Sequence, residues 1–299
     1  CSRFANPKRI ERVIYLILSI LISTSLFVIF KYFGVYKIDT LKAIVINYLV
    51  AFTFGILLSE VEFSFVELPN QKWFTGAIFL GMLFVSIFFV MALTAQRNGV
   101  SVVSVAGKMS VVIPVIFGVV LYDESLSALK IFGIILAVVA VYLASVKDDL
   151  KKHEKAGLLL PIILFLGSGA IDTTLKYVEI NFVAENEVSL FSGSLFGFAA
   201  FFGLIILGIK TIKKPEPFGL KNIIAGIVLG IPNYYSIVFL IKALQIKGIE
   251  SSTLFTINNV GIVVASTIVG LIIFKESFSL KNKIGIALAI IGIVLVAIA

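Results

Sequence analysis

The sequence predicts an all-α integral membrane protein of ten transmembrane helices, arranged as two inverted five-helix repeats. Composition, span length and internal repetition predict it. Of 299 residues, 60% are hydrophobic and only 14% charged, and the mean hydropathy is +1.11; a soluble domain of this size needs far more charge to cover its surface. Ten apolar stretches each approach the roughly 20 residues that cross a bilayer. The loops left over are too short for a globular domain or a nucleic-acid module. The net charge of +8 therefore belongs to loop lysines near lipid headgroups, and membrane lipid rather than nucleic acid is the expected partner.

The spans run over residues 13–31, 40–58, 73–95, 100–122 and 128–146, then 157–178, 187–209, 221–244, 250–273 and 282–299. Arg12 leads directly into the first apolar run with no small-residue cleavage site, so no cleavable signal is expected. The loops after spans three and eight, residues 96–99 and 245–249, are very short and make two tight antiparallel hairpins at matching places. That symmetry extends to residues. Shifted by 152 positions, Gly118, Glu124, Ser125, Ser127 and Gly133 match Gly270, Glu276, Ser277, Ser279 and Gly285. At a separate offset of 145, Lys31 and Tyr32 match Lys176 and Tyr177. The chain is thus two copies, 1–150 and 151–299. An odd number of spans per copy sends the second into the membrane from the opposite side, the arrangement that permits alternating access.

Two five-helix halves, each closing with a helix, an acidic turn (Tyr122 to Ser125; Phe274 to Ser277) and a glycine-containing last helix, resemble the EamA-type transporters of the drug/metabolite transporter superfamily. Pro114 in span four adds to the resemblance, whereas Asp123-Glu124 and Lys275-Glu276 stand where Gly-Glu is common, and Ser266 replaces the second proline. The resemblance implies a multi-pass carrier of the cell (plasma or inner) membrane. Such a carrier moves small metabolites, often outward, through a cavity lined by spans one, three, four, six, eight and nine. Orientation is contested: with the N-terminus inside, nine Lys/Arg face the cytoplasm and fifteen the other side. The positive-inside rule thus favours termini outside, while the resemblance implies termini inside.

Lys108, near the middle of span four, is the most informative residue, because a charge facing lipid costs about 2.5–3.5 kcal/mol. Ser101, Ser104 and Lys108 share one helical face, assigned to the cavity. The plain structural alternative is a lysine held against a carboxylate to join helices. Asp172 in span six is the obvious candidate partner, but straight helices leave an axial gap of about 9 Å. Lys176, four residues on, is the easier partner for Asp172. Lys108 is then free to bind a substrate carboxylate or phosphate, or to couple to a proton. The remaining candidate substrate-binding residues are Ser168 and Thr173 beside Asp172, Asn233, Tyr234 and Tyr235 after Pro232 in span eight, and Ser252, Thr256 and Asn259 in span nine. For each, a local helix–helix hydrogen bond is an equal alternative. Small residues at Ser189, Gly193, Gly197, Gly226 and Gly230 read as close packing within a monomer, with a weak homodimer as the other option. Glu124 and Glu276 lie at span ends, placed to cap helices or bind loop lysines rather than to take part in transport.

Several chemistries are excluded. One histidine, His153, and one cysteine, Cys1, build no metal site, and a catalytic triad would need His153 to fold back from its loop. No cofactor is expected, and without a G-x-x-x-x-G-K-[ST] loop any energy comes from gradients or exchange. The expected function is a secondary carrier, exporter or exchanger, of small polar metabolites such as amino acids or organic anions. A multidrug exporter of organic cations is the alternative of the same fold, disfavoured by the central lysine. An intramembrane enzyme would need clustered acids or histidines, and a passive channel a ring of like polar groups.

Overall fold

The computed structural model describes residues 7–59, 61–62, 64, 66–114, 116–117, 127–145, 156–245 and 251–298. Among them there is no strand. The helices are α1 (Pro7–Val35), α2 (Thr40–Leu57), α3 (Phe74–Asn98), α4 (Val100–Met109), α5 (Ala128–Ser145), α6 (Ala156–Phe182), α7 (Val188–Lys213), α8 (Leu220–Gln245), α9 (Ser251–Ile272) and α10 (Leu280–Ile298). Six segments, in α1, α2, α3, α6, α7 and α8, are long and apolar enough to cross a membrane, and α4, α5 and α9 carry shorter apolar segments. Large apolar side chains such as Leu21, Ile135, Leu166 and Leu271 lie on the outer surface, as lipid requires and water would not allow.

Span four departs from the expected continuous helix over 100–122. Helix α4 stops at Met109, Ser110 and Val111 form a turn, and helical residues resume at 112–114. Pro114 supplies the reason. It has no N–H for the carbonyl of Ser110 and its ring crowds that carbonyl. Ile113 N–H takes the Ser110 oxygen instead at 2.9 Å.

Helix pairing follows a regular scheme. α2 packs on α7 and α8, α3 on α6 and α7, α1 on α8 and α9, α4 on α6 and α9, and α5 on α10. Small residues set the closest approaches: Gly55 meets the Gly193 backbone, while a Cβ on Gly230 would lie 2.7 Å from Val50 Cβ and 2.8 Å from Asn47 O. The close-packing reading of Gly193, Gly197, Gly226 and Gly230 therefore holds within the monomer. The core between the helices is aromatic, with Phe30 on Phe88 (centroids 4.8 Å) and Trp73 on Phe191 (5.6 Å).

The connections that follow odd-numbered helices meet at one end of the bundle. Asn98 donates to Gly157 O (2.7 Å), and Asp39 N–H donates to Asn222 Oδ1 (3.0 Å). Asp39 also caps α2, accepting from Leu41 and Lys42 N–H, and accepts from Lys210 at 2.8 Å. Burial pushes the Asp39 carboxyl up, but Lys210 and the Lys42 backbone and charge outweigh it and hold it below the ordinary carboxylate value. Lys42 completes this clasp: only 4% exposed, its ammonium donates to Pro217 O (3.0 Å) and lies 3.6 Å from Asp39 and 3.7 Å from Glu216. Glu124 and its turn, His153 and Cys1 lie outside the described residues, as do the side chains of Ser252 and Thr256.

Candidate substrate site at the α4 break

The break in α4 leaves Lys108 one residue from the end of a ten-residue helix. Helix C-termini present unpaired carbonyls and the negative end of the dipole, which favour a cation. Beside it, Gly107 is buried, yet a Cβ built there would meet nothing within 4 Å. Close-packed interiors leave few such gaps. An opening inside the bundle therefore begins at Gly107.

Asp172 of α6 lies across from this break. Its Oδ2 accepts from Ser110 Oγ at 3.2 Å, and its charge acts on Lys108. Asp172 keeps an exposed side chain in the middle of α6, as a group bordering an opening would. Among the described residues no ion pair within 4.0 Å joins Lys108 to Asp172, nor Asp172 to Lys176. The expected Asp172–Lys176 pair is thus replaced by Ser110 and Lys108. Ser110 sits in the turn that breaks the span, and its hydroxyl faces α6 there.

Other sequence candidates fall on one level. Ser19 Oγ donates to Ser236 O (3.5 Å), Ile20 packs on Gly261, and Ser104 hydrogen-bonds Ser266. Counting 1.5 Å per residue from these contacts places Asn233, Asn259 and Lys108 within about 6 Å of one depth. Asn233 and Asn259 are buried, at 3% and 7% exposure. Ser168 precedes Asp172 by one turn of α6 and is half-buried, and Thr173 bonds back to Gly169 O at 2.7 Å.

Two candidates face elsewhere. Ser104 is fully buried in its bond to Ser266 and donates to Ser101 O (2.9 Å) as well, so it joins α4 to α9. Tyr234 is buried with its ring 5.9 Å from Phe54. It packs α8 against α2, whereas Tyr235 stacks on Phe239 beside α1. Sequence reasoning missed Ser110, Asn258 and Asn47. Asn233 Nδ2, Asn258 Oδ1 and Asn47 Oδ1 are buried without a hydrogen-bond partner among the described residues, and such atoms are costly unless something fills the need. An amide inside an apolar run was the available signal for Asn258 and Asn47.

Membrane-length apolar helices with charged and amide groups gathered inside the bundle, among the described residues, are the architecture of a membrane transporter. The family is more specific. Residues 11–146 match the EamA-like transporter family, and the chain belongs to that family, within the drug/metabolite transporter superfamily. A Haemophilus influenzae protein described as uncharacterized is 30% identical over 284 residues, covering 93% of this chain and 95% of its own. The probable glucose uptake protein GlcU of Priestia megaterium is 26% identical over 270 residues, 83% of this chain and 86% of that protein. The glucose uptake protein GlcU of Bacillus subtilis is 26% identical over 265 residues, with 82% and 85% covered. A solved crystal structure shares the fold at TM-score 0.55 and 14% identity, over 93% of this chain and 96% of that one.

Proposed function

We propose that the protein is a secondary carrier of small polar metabolites, exporting or exchanging amino acids or organic anions by alternating access of two inverted repeats. The helix pairing supports the repeats. Exchanging each helix for the one five places along turns α1 on α8 into α6 on α3, α2 on α8 into α7 on α3, and α1 on α9 into α6 on α4, all of which occur. The pairs α2 with α7, α4 with α9 and α5 with α10 map onto themselves. A pseudo-two-fold of this kind, with a discontinuous helix at the site, suits a bundle that packs in two related ways.

The observation that carries the substrate reading is that Lys108 and Asp172, near enough for their charges to interact, form no direct ion pair beside the open space at Gly107. Two opposite charges left apart inside a membrane are each costly. A zwitterion relieves both, its carboxylate on Lys108 and its ammonium on Asp172, so amino acids fit better than dianions. A second reading rests on the relatives named for glucose uptake: a sugar, whose hydroxyls would bond Ser110, Asp172 and the amides Asn233 and Asn259. An organic-cation exporter is disfavoured because Lys108 repels its cargo. A coupling proton would reside on Asp172.

Counterflow in proteoliposomes across amino acids, organic anions, sugars and organic cations tests the assignment. Exchange of zwitterions is expected, exchange of sugars alone selects the second reading, and exchange of cations alone overturns both.

A further inference from the structure

The contact between Glu276 and α4 joins the two halves of the chain through one side chain. Glu276 lies in the turn between α9 and α10, and its backbone N–H donates to Gly270 O at 2.9 Å, closing the end of α9. Its carboxylate reaches the other half. Oε1 accepts from Val100 N–H at 2.8 Å, and Oε2 from Ser101 Oγ at 3.3 Å. Lys31 of α1 lies 3.9 Å from Oε1. One residue thus ends one helix and caps the start of another, where orphan N–H groups and the helix dipole favour an anion.

Both flanking glycines are shaped by this carboxylate. Gly99 has φ +109, and a Cβ there would sit 2.7 Å from Oε1; on Gly270 it would sit 2.6 Å from Oε2. One turn deeper, Ser266 and Ser104 make a second bond between the same two helices, and Tyr32 covers Phe274 at 5.2 Å. Val100, Ser101 and the residues from Val103 to Ala106 are buried beneath these contacts. The open space at Gly107 starts immediately below. Two tiers of polar contact therefore close the opening toward this end of the bundle, and both lie on the short helix that carries Lys108.

We propose that Glu276 is the latch of one gate of the transport path, released when the site opens toward its end; this rests on the carrier reading. The contact has the properties of a latch. Its partners, Val100 N–H, Ser101 N–H and Oγ, and Lys31, lie on α4 and α1 rather than on its own segment, it is 13% exposed so that water can replace them, and charge-assisted bonds of this kind exchange for water at modest net cost. Helix α4 spans about 15 Å, so its release moves the latch end and the Lys108 end together.

The test uses the whole chain with Cys1→Ser, which removes the one native cysteine, and Gly107→Cys as the sole thiol. A membrane-impermeant maleimide is applied from each face of oriented vesicles. With Glu276 intact, labelling from the Glu276 end is slow; Glu276→Gln, which weakens the cap, is expected to raise it about tenfold from that end and not from the other. Unchanged labelling from that end in folded Glu276→Gln overturns the latch. Should that variant fail to fold, Ser266→Ala decides the question: it removes the second tier, and labelling rises if the tiers form a gate and stays unchanged if they do not. Counterflow is measured in the same vesicles. Absence of any exchange by the wild type sinks the carrier reading, while the labelling still reports on the gate.

Discussion

Lys42 and Lys108 both lie inside the bundle, and their surroundings differ in kind. Lys42, at the end of α2, is saturated: a carbonyl at 3.0 Å and two carboxylates within 3.7 Å account for its three protons. Lys108 has no ion pair within 4.0 Å among the described residues, although the charge of Asp172 acts on it. A saturated buried charge holds a structure, because its interactions are complete. An incomplete one retains capacity for a ligand, and the proposed substrate role of Lys108 rests on that capacity.

Breaking the Lys108 side gives the largest effect. Asp172→Asn should lower amino-acid counterflow by about a hundredfold, since truncating one member of a desolvated charge pair costs several kcal/mol. Monoanions should then compete better than before, and a competition series in proteoliposomes reads both changes. A smaller effect separates open space from packed space. Gly230→Ala should destabilise by about 1–3 kcal/mol, because Val50 and Asn47 O leave no room for the methyl. Gly107→Ala should unfold within a degree or two of the wild type, and thermal unfolding in detergent checks the pair.

The smallest effect sharpens the Lys42 side. Asp39 has a folded value below its unfolded one, so its contribution is fully present above the unfolded value of about 4 and is lost as pH falls through the folded value. Stability against pH should bend downward below pH ~4, and Asp39→Asn should flatten that bend. A bend of equal size in Asp39→Asn would assign it to other carboxylates.

Much of the fold was legible because lipid imposes long apolar helices, and α2, α7 and α8 begin and end within a few residues of the apolar runs. The break at Ser110 was not, although Pro114 was in plain view, because apolar length alone cannot register a missing backbone donor. The axial arithmetic disfavoured a direct Lys108–Asp172 pair, and none within 4.0 Å occurs among the described residues; Ser110 as the partner of Asp172 lay beyond it. Lys108 was legible from the cost of its charge. The direction of Tyr234 was not legible because a residue next to a helix proline has no fixed face in the sequence, and here the ring packs on Phe54 of α2. The target of Glu276 lies 175 and 176 positions away in the chain, and only packing of the halves reveals it.

The most direct test replaces each lysine in turn and measures counterflow and thermal unfolding on the same preparations. Lys108→Ala should lose at least about tenfold in exchange while unfolding at or above the wild-type temperature, since an unpaired charge is removed. Lys42→Ala should lose about 2 kcal/mol of stability while exchanging normally per folded molecule. The reverse pattern, exchange intact and stability lost in Lys108→Ala, would make Lys108 a structural residue and remove it from the site.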